Sequence, residues 1–191
     1  MTKEKAQFIA NEIFVLYEEY GSDDYIGEPV SQVEHMCQAA QLAEEEGYDD
    51  EVILAAFFHD IGHLCEHIMT VDHMDDYGVL DHESLGADYL REKGFSEKIS
   101  RLVKSHVAAK RYLTYKFPEY YGKLSAASKM TLKKQGGTMT SAEAWQFEMD
   151  HLYKLFIKLR EWDDRAKVER LPLPSLEKYK TMAVEHLMLQ N

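Results

Sequence analysis

The sequence predicts an all-α domain, and three observations carry that expectation. Apolar residues recur at helical spacing in one segment after another. No run alternates convincingly at the period of two that a half-buried strand shows. Helix-start signals and glycine stops punctuate the chain at helix-sized intervals. The 191 residues are 45% hydrophobic, enough for a sizeable core, so residues 1–191 are expected to form one domain. Four prolines, no biased tract and no internal repeat leave no evident linker.

The first helix, about Thr2 to Tyr20, repeats Phe8, Ile9, Ile13, Phe14 and Tyr17. After the loop GSDDYIGEP, Ser31-Gln32-Val33-Glu34 matches a capping box, in which hydroxyl and carboxylate satisfy orphan backbone donors. That helix puts Val33, Met36, Cys37, Ala40 and Ala43 on one face, carries His35 near its start and ends by Gly47. A third helix is expected from Asp49-Asp50 through the oily run Val52 to Phe58 into the cluster His59, Asp60, His63. An irregular stretch containing DHMDDYG leads to a helix from about Asp81 to Lys93, stopped at Gly94. Ser96 opens the next helix, with His106 and Lys110 four residues apart on one face. LSAASKMTLKKQGG reads as a short helix with a glycine stop. A long helix is expected from about Ser141 to Lys167 and, after the LPLPS break, a last one from Ser175. Trp145, Trp162 and the nine methionines are expected in the core, and Cys37 and Cys65 as buried free thiols.

The net charge of −12 argues against nucleic acid or an anionic membrane as partner. A small anionic substrate stays possible, since metal ions and a few Lys or Arg make a cleft locally positive. The N-terminal twenty residues lack the apolar stretch and small-residue cleavage site of a secretion signal, and Val52 to Phe58 is too short to span a bilayer. A cytoplasmic location is the expectation.

The stretch AAFFHDIGHLC raises the functional question, because bare polar groups at the end of an oily helix are costly. A single histidine on an apolar face is most often a hydrogen-bonded core residue, and His67, His73, His151 and His186 take that bland reading. Four others, His35, His59, His82 and His106, fall on different helices, His59 joined to Asp60, with the acidic pair Asp163-Asp164 late in the chain. Neutral imidazoles and carboxylates suit iron, manganese or zinc. Asp60 has two oxygens and can bridge two ions.

This order, His … His-Asp … His … His … Asp, resembles the HD-domain superfamily over nearly the whole chain. The resemblance implies a helical bundle with a binuclear site. His35, His59, Asp60 and Asp163 would hold one ion, and Asp60, His82 and His106 the other, with Asp164 an alternative to Asp163. Most HD proteins are phosphohydrolases, which makes a metal-dependent phosphohydrolase the competing expectation; a non-catalytic module is disfavoured because no ligand is missing. Further segments, DYIGEPVSQVEH, HDIGH, LDHESLGADYL, HVAAKRYL, LSAASKMTL and LREWDD, resemble the PhnZ-like oxygenases. These are small HD-domain enzymes that use two iron ions and dioxygen to cleave the carbon–phosphorus bond of 1-hydroxy-2-aminoethylphosphonates. A near branch takes the N-trimethylated substrate and yields glycine betaine. Twelve tyrosines and the acidic DHMDDYGVLDHE segment give a slight lean to that branch by cation–π attraction.

The resemblance also assigns roles around the ions. Lys110, Ser128, Thr131 and Arg160 would hold the phosphonate, although Arg160 could equally pair with an acid. Glu28 would face the substrate ammonium. Tyr25 would ligate the vacant iron and swing away as substrate arrives. His63 would hydrogen-bond substrate or oxygen beside the shared Asp60.

Overall fold

The computed structural model describes residues 1–25, 27–75 and 77–190; Ile26 and Asp76, inside two of the loops quoted above, and Asn191 lie outside the described residues. Among the described residues the chain is helical, and two isolated bridges, Asp24–Ser31 and His73–Val79, stand in place of strands. The helices are α1 Lys3–Tyr20, α2 Gln32–Glu45, α3 Asp50–Phe58, α4 Ile61–Leu64, α5 His82–Glu92, α6 Glu97–Lys116, α7 Pro118–Lys123, α8 Ala126–Lys134, α9 Ser141–Glu148, α10 Tyr153–Arg165 and α11 Leu176–Leu189. The fold is the expected all-α bundle. No helix among the described residues is long and apolar enough to cross a membrane.

Helix α3 is the centre. Every residue from Val52 to Phe58 is buried, because α2, α6 and α11 cover it on different sides. An all-round apolar helix has no other stable place. Aromatic contacts join it to the outer helices: Phe57 stacks 5.5 Å from Phe14 and 4.6 Å from Tyr179, and meets the tilted Tyr17 ring at 4.7 Å. The starts of the helices follow the expected chemistry. Ser31 and Glu34 form the capping box of α2, and Asp49, Ser96 and Ser125 cap α3, α6 and α8 with their side chains.

Two expected helices are broken, each for a local reason. The third stops at Phe58 rather than running through the histidine cluster. His59 Nδ1 donates to the Ala56 carbonyl at 2.8 Å, the acceptor that a continuing helix would offer to the Asp60 amide. Asp60 then takes φ −106°, ψ 13°, and the chain restarts as α4. The expected helix from Ser141 to Lys167 is split into α9 and α10. Asp150 accepts from the Leu152 amide at 2.9 Å and pairs with Arg101, forming a turn. The turn lets Phe147 and Phe156 meet at 5.8 Å, whereas nine residues along one helix would put them on opposite sides.

Some burial expectations fail. Trp162 is fully buried, but Trp145 is 62% exposed, because the short α9 buries only Ala144 and Phe147. Phe8 faces out from α1, and Met69, Met149 and Met188 are exposed while Met36, Met74 and Met139 are buried. Helix α7 was not foreseen; its sequence, PEYYGK, buries no residue and so carries no periodic signal. Cys37 and Cys65 are buried free thiols, the second in a short 3-10 turn after α4.

Candidate metal centre

Five elements converge on one buried point. His35 comes from the first turn of α2, His59 and Asp60 from the break between α3 and α4, His82 from the start of α5, His106 from mid-α6 and Asp163 from α10. All six are almost wholly removed from solvent. The crossing of α4 and α5 that delivers His82 is possible only with glycine at 62. A Cβ there would sit 1.9 Å from the His82 carbonyl oxygen, and one at Gly86 would come within 3.0 Å of the Gly62 nitrogen.

The hydrogen bonds fix what each imidazole offers. Nδ1 of His35 lies 2.8 Å from the Ala166 carbonyl, that of His59 2.8 Å from Ala56, that of His82 3.3 Å from Val79 and that of His106 2.8 Å from Val103. A carbonyl only accepts, so each Nδ1 carries the hydrogen and each Nε2 presents a lone pair. Those lone pairs face each other: His35 and His59 Nε2 are 3.0 Å apart, and so are His82 and His106 Nε2. Two acceptors at that distance need a cation between them.

Asp60 stands between the two pairs. Its Oδ2 is 3.5 Å from His35 Nε2 and 3.4 Å from His59 Nε2, while Oδ1 is 3.4 Å from His82 Nε2 and 3.3 Å from His106 Nε2. Asp163 adds Oδ1 on the first side, 3.5 Å from His35 Nε2. Asp60 Oδ2 and Asp163 Oδ1 are buried without a hydrogen-bond partner, which is costly unless a cation meets them. The donor set therefore fits two divalent ions of the iron, manganese or zinc kind sharing one carboxylate. Asp164, the alternative for Asp163, instead faces Arg160 and Tyr120.

The charges respond as such a cluster should. With no ion in place, burial disfavours the His35 imidazolium, yet the Asp163 and Asp60 carboxylates outweigh it and lift the group to about 9, so a proton takes the place that a metal ion would hold. Burial works against ionising Asp60 as well, and the surrounding imidazoles, His59 foremost, still hold it well below the ordinary carboxylate range. Asp163 is held low in the same way, chiefly by Arg160.

His63 differs from the four. Its Nδ1 accepts from the Val79 amide at 3.2 Å, so its Nε2 bears the hydrogen. Although its ligand atoms lie close to those of Asp60 and His82, it is a neutral donor, its charged form suppressed by burial and by His82. It stacks on His82 at 4.1 Å.

A cleft opens beside Asp60, His82 and His106, with about 660 Å³ of open space including its mouth. Tyr25, Glu28, His63, Lys110, Ser128, Thr131 and Arg160 all line it. Lys110 Nζ donates to Thr131 Oγ1 at 2.9 Å. Burial, then the charge of Arg160, pulls Lys110 down to about 7. Tyr25 stacks on His35 at 4.1 Å, and burial followed by the Asp60 and Asp163 charges pushes its phenol well above the ordinary value. Arg160 Nη1 donates to Asp163 Oδ2 at 2.6 Å and Nε to the Tyr120 hydroxyl at 3.1 Å, so it is tied to acids, and it turns Asp163 Oδ1 toward His35. Glu28 accepts from Ser125 Oγ at 2.6 Å and from Lys167 Nζ at 2.7 Å, both on Oε1.

Lys167 and Tyr120 were missed because they lie far along the chain from the groups they hold. Gln32 and Gln135 also went unmarked; both line the cleft with an amide oxygen that is buried and unpartnered. A glutamine inside an α2 cap, or beside a glycine stop, carries no sequence signal of that kind.

The HD domain model matches residues 33–159. The chain belongs to the HD-domain family. Its relatives include an uncharacterised protein of Acanthamoeba polyphaga mimivirus, 46% identical over 93% of this chain and 81% of that one. A [1-hydroxy-2-(trimethylamino)ethyl]phosphonate dioxygenase (glycine-betaine-forming) of Leisingera caerulea is 40% identical over 83% of this chain and 80% of its own. A hydroxymethylphosphonate dioxygenase of Gimesia maris is 39% identical over 88% and 83%. This HD protein is therefore of the phosphonate-oxygenase type.

Proposed function

We propose that the chain cleaves the carbon–phosphorus bond of a 1-hydroxyphosphonate with dioxygen, releasing phosphate. His35, His59, Asp60 and Asp163 would hold one iron ion, and Asp60, His82 and His106 a second. The pair would supply oxygen activation and the redox change that no side chain of the cleft can provide. Residues 1–191 would act as one HD domain.

The observation that supports the reaction most is the polar wall facing the cluster, in a chain related to two phosphonate dioxygenases. Lys110, Thr131 and Ser128 line the cleft next to His82 and His106, where three phosphonate oxygens need donors. Lys110 would bind one phosphonate oxygen and share its other hydrogens with Thr131. The His63 Nε2–H would donate to the substrate hydroxyl or to oxygen beside Asp60. Tyr25 over His35 would close the first ion off from solvent until substrate enters. Arg160 would act by orienting Asp163 rather than by touching substrate.

On the tail of the substrate, the sequence favours an amino group at C2. From the sequence alone the trimethylated compound, giving glycine betaine, comes slightly ahead of 2-amino-1-hydroxyethylphosphonate, giving glycine; the ion pair that Glu28 makes with Lys167 weighs against both ammonium tails. The Gimesia maris relative adds a tail-less candidate, hydroxymethylphosphonate. The test is oxygen uptake and phosphate release by iron-loaded protein with each of the three. Phosphate released from all of them only in the presence of oxygen is not required; release from one suffices. Brisk hydrolysis of phosphate esters without oxygen would replace this reaction by a phosphohydrolase.

A further inference from the structure

Glu28 is the acid placed to meet a cationic tail, and its charge is already answered. Lys167 Nζ lies 2.7 Å from Glu28 Oε1, and the two side chains are only 14% and 8% exposed. The same oxygen takes the Ser125 hydroxyl at 2.6 Å. Lys167 also lies 5.8 Å from the centre of the Tyr25 ring, the face that a quaternary ammonium would otherwise seek. Its position is set by the fold, two residues past the end of α10, beside the Ala166 carbonyl that holds His35. The loop bearing Glu28 is equally placed. Gly27, at φ +74°, packs so closely on α8 that a Cβ there would come 2.9 Å from the Ala127 Cβ.

We propose that Lys167 determines the substrate tail: by neutralising Glu28 and covering Tyr25, it makes this end of the cleft favour an uncharged 1-hydroxyphosphonate over one bearing an ammonium. Glu28 lines the cleft and Lys167 does not, so the lysine stands behind the acid and acts through it. Lys167 is thus a positioning and specificity residue. An ammonium entering here meets an ion pair with almost no net charge, at the cost of its own desolvation. A substrate ending in hydrogen at this position pays no such cost.

This claim rests on the reaction proposed above, so two readouts are needed. The first is kcat/KM for hydroxymethylphosphonate and for the trimethylamino substrate with iron-loaded wild type, Lys167→Gln and Lys167→Arg. The second is anaerobic calorimetric binding of the same two phosphonates. Wild type should prefer hydroxymethylphosphonate in both. Lys167→Gln keeps a donor to Glu28 but deletes the charge, and should shift both ratios toward the trimethylamino compound by about tenfold or more, the size of one unit charge acting at short range in a partly screened cleft. Lys167→Arg should restore the wild-type ratios. Ratios unmoved in Lys167→Gln, or a wild-type preference for the ammonium, overturn the claim. If no phosphonate is cleaved, the reaction proposed above fails, and the binding ratios alone decide the role of Lys167.

Discussion

Substituting Gly62 tests whether the close crossing of α4 and α5 is what builds the second half of the proposed metal centre. An alanine Cβ at 62 would lie 1.9 Å from the His82 carbonyl oxygen and 2.7 Å from its carbon, where real contacts stay beyond 3.0 Å. The obstacle is backbone, not a flexible side-chain end, so α5 must retreat by about 1 Å or α4 must tilt. Overpacking of this kind costs about 1–3 kcal/mol. For a chain of this length that corresponds to a fall in Tm of about 3–10 °C. The retreat carries His82 Nε2 away from Asp60 Oδ1, now 3.4 Å distant, and from His106. Gly62→Ala should therefore keep the ion between His35, His59 and Asp163 and lose most of the one between His82 and His106. Iron analysis after gel filtration and a thermal melt read the two effects. A variant with wild-type Tm and both ions would refute the steric reasoning outright.

Three further outcomes follow from the same geometry. Asp60→Ala should empty both metal positions, since each Asp60 oxygen faces one imidazole pair, whereas His106→Ala should empty mainly the second; elemental analysis with one stable ion left in Asp60→Ala would contradict this. Lys110, lowered to about 7 when folded, holds more protons unfolded, so its contribution makes stability rise with pH from about 7 toward its ordinary 10.5; denaturant melts should show that rise, and Lys110→Met should flatten it. Cations held in the proposed site would push Lys110 the same way and only extend the window downward. Tyr25→Phe should oxidise faster in the absence of substrate and lose any tyrosinate-to-iron absorption; stopped-flow spectra identical to wild type would return Tyr25 to a packing role.

Much of the architecture could be read before folding, because helix starts and glycine stops are local. Ser31 with Glu34 and Ser96 act within three residues of themselves, and the helices they open begin where expected. The breaks were less visible. Nothing in the residues from Ser141 to Lys167 states that Asp150 will find Arg101 forty-nine residues away, or that Phe147 must turn to reach Phe156. The candidate ligands were legible as types in a known order. Choosing between Asp163 and Asp164 was not, since both lie on one turn of α10 and the difference comes from Tyr120, on a helix with no periodic face. Glu28 shows the same limit more sharply. Its charge can be read from the sequence, but the lysine that cancels it is 139 residues distant.

The opening puzzle of an oily helix ending in histidine and aspartate resolves into a division of labour within each imidazole. One nitrogen is spent on the backbone, which leaves the other for the proposed ion. His59, His82 and His106 each reach the carbonyl three residues earlier, so their tautomer is a property of their own turn. His35 is the exception: its carbonyl belongs to Ala166, just beyond α10. The helix that supplies Asp163 therefore also fixes the tautomer of His35. Docking of α10 and completion of the proposed first metal site would then be one event. That coupling would explain why so many charges can be buried here. Unpaired, the Asp60 and Asp163 oxygens and the facing lone pairs would oppose folding. With cations between them, the same groups would draw five elements of the bundle to a single point.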